Sequence, residues 1–176
     1  MPAGLLYQPD FISGEEEDAL LAEIRQLALE EAKYKSYTAR RRTASFGSDY
    51  DFATNVLGPA PEIPLFLFEL KKRVAGLTSI PEKQFQHAPV TEYRPGTPLG
   101  WHRDVPQFEA IVGVSLAGPC RMRFRPWPVE PRAKVFTLEL EPRSVYVLRD
   151  EIRWRWQHSV SPTRALRYSI TFRTRR

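Results

Sequence analysis

Apolar positions follow two rhythms along the chain. Over SGEEEDALLAEIRQLALEEA, which begins at Ser13, Leu20, Ile24 and Leu27 recur at helical spacing and predict an amphipathic helix. Ser13 with Glu16 three places on forms a capping-box pair, and the acids of the first turn suit the positive end of the helix dipole. A second helix is predicted from near Pro64, a good first-turn residue, through Leu67, Leu70 and Val74 to Gly76. From about residue 86 the rhythm shortens to runs rich in Val, Ile, Phe and Tyr broken by Pro and Gly. These runs predict strands over 86–93, 110–116, 120–125, 134–140, 144–149, 154–160 and 166–173. That many strands in one open sheet would leave unpaired edges. The expected fold is therefore α+β and mainly β, closed into a jelly roll or barrel with N-terminal packing helices.

A chain of 176 residues has the length of one domain with a core of its own. The division expected within it is a helical support and lid segment over 1–85 and the jelly-roll core over 86–176. A composition of 42% hydrophobic and 12% aromatic residues opposes disorder. No apolar run approaches the roughly 18 residues of a membrane span, so no membrane partner is expected. MPAGLLYQPD lacks a basic region followed by an apolar stretch, and Cys120 is the single cysteine. A soluble, cytoplasmic monomer is the expectation.

Charge is unevenly placed. Residues 1–32 carry eight acids against one Arg, a net of −7, whereas residues 121–176 carry fourteen bases against five acids, a net of +9. A basic half is either a solvated surface or the footprint of a polyanion such as nucleic acid. Arg121, Arg123 and Arg125 alternate with Cys120, Met122 and Phe124, so they form a stripe on one face of a strand, turned toward substrate or toward solvent. TARRRTASFGSDYDF, residues 38–52, reads as a surface hairpin in which Arg40, Arg41 and Arg42 can meet phosphates and Phe46 or Tyr50 can stack on a base.

Candidate chemistry gathers in TEYRPGTPLGWHRD, residues 91–104. On a strand, alternate side chains share a face, so His102 and Asp104 can point together. With His158 of RWQHSV they make two histidines and one carboxylate, the facial triad of non-haem Fe(II), which leaves coordination positions open. In RYSITFR, residues 167–173, Arg167, Ser169, Thr171 and Arg173 share one face and Tyr168, Ile170 and Phe172 the other. Inward-facing arginines are costly unless they meet anions, and two of them suit a dicarboxylate. Trp101 points away from the ligands, and Trp154 and Trp156 share the parity of His158, so one of them can line the cavity or both can pack in the core.

YRPG at 93–96 leading into HRD at 102–104, the later His158 and the terminal RYSITFR together resemble the AlkB family of Fe(II)- and 2-oxoglutarate-dependent dioxygenases, over most of the chain. The resemblance implies a double-stranded β-helix (jelly roll) core, and that His102, Asp104 and His158 hold iron and act in catalysis. It implies that Tyr93 and Arg167 bind the distal carboxylate of 2-oxoglutarate, with Arg173 at the other end of that co-substrate. It implies that the hairpin of Arg40, Arg41, Arg42, Phe46 and Tyr50 is a nucleotide-recognition lid. Two positions depart from the family's pattern: Thr91 and Ser169 stand where Asn is usual, each shorter but able to donate one hydrogen bond to the co-substrate. The stretch from His158 to Arg167 is short. His87 matches nothing in the pattern and reads as structural or exposed. The implied function is oxidative demethylation of N-alkylated bases in DNA or RNA, with single strands favoured because a base inside a duplex must first be flipped out. A dioxygenase acting on a protein side chain or a small metabolite is the alternative, and a binding protein on an inactive barrel is a third reading.

Overall fold

In a computed structural model that describes residues 2–33, 38–51 and 53–176, the elements in chain order are β1 (Leu5–Gln8), α1 (Gly14–Ile24), β2 (Glu30–Lys33), β3 (Thr38–Ala44), β4 (Asp49–Asp51), β5 (Val56–Gly58), α2 (Phe68–Thr78), β6 (Phe85–His87), β7 (Val90–Tyr93), β8 (Leu99–His102), β9 (Phe108–Leu116), β10 (Cys120–Pro126), β11 (Phe136–Leu140), β12 (Val145–Leu148), α3 (Asp150–Trp154), β13 (Trp156–Val160) and β14 (Arg167–Arg175). A major antiparallel sheet runs β1-β12-β9-β14-β7-β3-β2, with β6 also against β14. A minor sheet runs β11-β10-β13-β8, and β4 and β5 form a separate hairpin. This is the jelly roll that the pattern predicts.

Alternation along the strands of the major sheet sorts two cores. Val112 and Val114 of β9, Ile170 and Phe172 of β14, and Val90 of β7 face one way, where they pack with Leu20, Leu21 and Ile24 of α1 and Leu70 and Val74 of α2. The opposite face turns toward the minor sheet, where Ile111, Tyr146 and Leu148 meet Met122, Phe124, Leu140 and Val160. The capping box at the start of α1 forms as predicted, with Ser13 Oγ accepting from the Glu16 amide and Glu16 Oε2 accepting from the Ser13 amide. The two helices thus serve as packing on the outer face of the major sheet.

Several elements differ from those predicted. The first helix ends at Ile24, and Glu30 and Glu31 instead pair with Thr43 and Arg42 across β2 and β3. The run 86–93 breaks into β6 and β7 at Ala88 and Pro89, since proline has no amide to donate; its carbonyl accepts from Thr171. The run 154–160 begins as the end of α3, so Trp154 does not share a strand with His158. Residues 38–44, read as surface hairpin, form β3 and join β7 in the major sheet. The four-residue edge strand β8, which contains Gly100, is not predicted.

Candidate metal centre and its cavity

β8 and β13 run antiparallel at one edge of the minor sheet, and their register sets His102 directly opposite His158. The two imidazole centroids stand 4.2 Å apart. Asp104, two residues beyond the ring of His102, brings Oδ2 to 3.5 Å from His158 Nε2. One ligand atom from each of the three residues lies within 4.8 Å of the other two.

The protonation of this triplet suits a divalent metal. His102 Nδ1 lies 2.9 Å from the Gly100 carbonyl, which can only accept, so the neutral ring carries its lone pair on Nε2. Burial, reinforced by the neighbouring His102, pushes His158 down to about 3, and burial likewise lowers His102. Burial alone would raise Asp104, but Arg173, His158 and His102 together hold its carboxyl below the usual range. Two neutral imidazoles beside one carboxylate are a donor set that fits Fe(II).

Arg173 is the partner of that carboxylate. Its Nε and Nη2 donate to Asp104 Oδ1 at 3.1 and 2.8 Å, leaving Oδ2 turned to His158. The resemblance puts this guanidinium at the other end of the co-substrate from the distal carboxylate; in the structure it pairs with a candidate metal ligand. Behind it Nη1 donates to His87 Nδ1 at 3.3 Å, and the His87 ring stacks on Phe108 at 4.6 Å. His87 is therefore buried and turned into the cavity, and burial pushes it down to about 3, so it accepts as a neutral ring.

Arg167 lies at another wall. It is 2% exposed, donates from Nε to Ser115 Oγ at 3.0 Å and holds its guanidinium 5.0 Å from the Tyr93 ring centre. Among the described residues no carboxylate pairs with it, which makes it a candidate partner for an entering anion. Thr91 and Ser169 face each other across β7 and β14, beside the pair of Tyr93 and Arg167, and all four line one cavity with the triplet. The cavity measures about 320 Å³. Tyr146 also lines it, with a phenol that burial keeps protonated, and its ring covers Gly113 on β9 so closely that a Cβ there would overlap it.

The predicted lid divides. Because 38–44 is a strand, its arginines alternate: Arg41 and Thr43 face the cavity, whereas Arg42 faces away and clamps Glu92 with two hydrogen bonds of 2.9 Å. Glu92 also accepts from Arg94 and Tyr168, so Arg42 belongs to a structural network rather than to a phosphate site. Arg40 is exposed. Phe46, read as a base-stacking ring, packs against the helix-side core. Tyr50 does line the cavity, together with Ser45 and Asp49.

Arg153 escapes the sequence reading. Its Nη2 donates to the carbonyls of Val105 and Phe108 at 2.8 and 2.6 Å and so ties down the loop that follows Asp104. No local pattern separates it from the other arginines of RDEIRWRWQH. Trp156 packs edge-on to Phe136 in the inter-sheet core, and Trp154 stacks with Arg153, so neither tryptophan lines the cavity. His87 and Tyr146 carry no local signal either.

The chain matches the family model described as "2OG-Fe(II) oxygenase superfamily" over residues 4–173. It is 30% identical to the Arabidopsis thaliana "Alkylated DNA repair protein ALKBH8 homolog" over 89% of its own length and 50% of that protein's. It is 26% identical to the mouse "tRNA (carboxymethyluridine(34)-5-O)-methyltransferase ALKBH8" over 92% of its own length and 25% of that protein's. It is 25% identical to the zebrafish (Danio rerio) "Probable RNA/DNA demethylase ALKBH6" over 90% of its own length and 70% of that protein's. The chain thus spans half or less of the first and second of these relatives. The fold is that of the solved structure of OsALKBH1, with a TM-score of 0.76 at 16% identity, covering 99% of this chain and 98% of that one.

Proposed function

The chain belongs to the 2OG-Fe(II) oxygenase superfamily and is AlkB-like within it, and from this premise we propose that it oxidatively demethylates N-alkylated bases in DNA or RNA, acting on single strands. It is a 2-oxoglutarate- and Fe(II)-dependent dioxygenase. One observation carries the substrate class: Arg41, Ser45, Asp49 and Tyr50 of the hairpin region share a cavity with His102, Asp104 and His158. An aromatic ring to stack on a base, hydroxyl and carboxylate groups for its edge, and a cation thus stand together above the candidate metal ligands. The names of the relatives, which speak of DNA repair, tRNA and RNA/DNA demethylation, support the same substrate class.

In this reading His102, Asp104 and His158 hold Fe(II), which when bound supplies oxidation of a substrate C–H bond by O₂ coupled to conversion of 2-oxoglutarate to succinate and CO₂. Arg167, with Tyr93 beside it, neutralises the distal carboxylate of the co-substrate, and Thr91 and Ser169 offer hydroxyls along its path. Arg173 keeps Asp104 anionic and oriented. Arg41 and Tyr50 cover the substrate side, exclude water and place the methyl group. An N-hydroxymethyl product then collapses to formaldehyde and the free base.

Release of succinate and formaldehyde across methylated single-stranded DNA, duplex DNA, RNA, methylated peptides and no substrate tests this. Coupled release of both is expected with a methylated single strand; coupling confined to a peptide would move the chain to the protein-hydroxylase alternative. Tyr50→Ala is expected to cut formaldehyde release by about 5- to 150-fold, from the loss of about 1–3 kcal/mol of base stacking, while substrate-free turnover of 2-oxoglutarate persists. The same variant with unchanged formaldehyde yield would remove Tyr50 from the substrate wall.

A further inference from the structure

On the reading that the substrate is a nucleic acid, we infer that the outer face of the minor sheet is a second binding surface, which takes the phosphodiester backbone of the strand flanking the nucleotide in the cavity. Strand parity turns Arg121, Arg123 and Arg125 of β10 away from the inter-sheet core, in which Cys120, Met122 and Phe124 are buried. Arg121 meets Glu139 at 2.7 Å. Arg123 and Arg125 meet only neutral groups among the described residues: Ser159 Oγ at 3.2 Å and Gln157 Oε1 at 2.8 Å. Both guanidinium groups also lie over the Trp101 ring, 5.0 and 4.4 Å from its centre.

This arrangement differs from a solvated charge run in two respects. Stacking on Trp101 and the cross-strand hydrogen bonds hold the two guanidinium groups in place, so less side-chain freedom is lost when an anion arrives. Two positive charges, carried on alternate positions of one strand, then stand on a sheet face with no acid partner among the described residues, which matches a polyanion better than a single carboxylate.

Position joins this face to the cavity. β8 is the edge strand of the minor sheet, and its residues Leu99 to His102, with Arg103 following, form the rim of the cavity. His102 and Trp101 both border the cavity from β8, and the Trp101 ring also lies under Arg123 and Arg125. Arg103 continues the surface, stacked on the exposed Trp127 at 5.2 Å. A strand with one base in the cavity needs only to cross the edge of β8 to reach the stripe.

The test compares wild type with Arg123→Gln/Arg125→Gln and Arg123→Lys/Arg125→Lys, using a mixed-sequence 20-nucleotide DNA and the matching RNA, each from low to high salt. Substrate-free 2-oxoglutarate turnover reports the integrity of every variant. For the 20-mers the Gln variant is expected to lower the slope of log affinity against log salt by about 1.4, at roughly 0.7 for each phosphate that is no longer neutralised. The Lys variant keeps the slope. If the double Gln variant does not fold, Arg125→Gln alone is expected to remove about 0.7. A Gln variant that binds the 20-mers with wild-type affinity and slope overturns the inference and leaves the nucleic-acid reading intact, and so does a Lys variant that loses as much slope as Gln. Wild-type protein that binds no oligonucleotide at any salt overturns both.

Discussion

Asp104→Ala is expected to leave a protein that neither retains Fe(II) nor turns over 2-oxoglutarate. Asp104 is the single anion among the three candidate ligands, and its Oδ2 is the atom turned to His158. The substitution also strips Arg173 of its partner, so an unbalanced guanidinium is left close to two imidazoles and repels an incoming cation. Two neutral nitrogens beside a free positive charge bind a divalent metal poorly. Metal content after gel filtration, with succinate release on the same sample, reads the result. Retained iron with wild-type turnover in Asp104→Ala would remove this residue from the centre.

Arg167→Ala is expected to raise the KM for 2-oxoglutarate at least thirtyfold, from the roughly 2–5 kcal/mol that follows when a buried charge pair loses one member. Metal retention and affinity for oligonucleotides are expected to stay near wild type. The cause is a guanidinium that is 2% exposed, hydrogen-bonded to Ser115 and stacked on Tyr93, with no acid among the described residues to balance it. Arg173→Ala differs in kind, because it frees Asp104 and should weaken metal retention first, by about 10–100-fold as when a partner of a metal ligand is removed. Initial rates against 2-oxoglutarate concentration, paired with metal content, separate the two arginines. Unchanged co-substrate dependence in Arg167→Ala together with abolished oligonucleotide binding would turn this side chain out of the cavity.

What could be read from the sequence follows from parity. RYSITFR alternates so cleanly that its polar face is assigned by strand geometry alone, and the structure turns that face into the cavity. The separate partners of Arg167 and Arg173 are not local information: they depend on β9 bringing Ser115 to one and on the loop after β8 bringing Asp104 to the other. His87 is silent for the same reason, since only its register opposite Arg173 reveals its neighbour. RRR at 40–42 reads as one basic patch when the segment is a surface hairpin. Once 38–44 is a strand of the major sheet, the same three residues have three environments. The helix over 13–32 is shortened by tertiary pairing of Glu30 and Glu31 with β3, against a periodicity that continues to Leu27. The closed β architecture needs no such detail, because the number of short apolar runs already calls for closure into a jelly roll or barrel.

The most direct test of the metal and co-substrate centre is an anaerobic titration of the purified chain with Fe(II) and 2-oxoglutarate, following both bound stoichiometries and the visible charge-transfer absorption of a 2-oxo acid on Fe(II). One metal and one 2-oxoglutarate per chain are predicted, with the absorption abolished in Asp104→Ala and requiring far more 2-oxoglutarate in Arg167→Ala. Co-substrate that binds without metal and with equal affinity in both variants would contradict the assignment of this cavity.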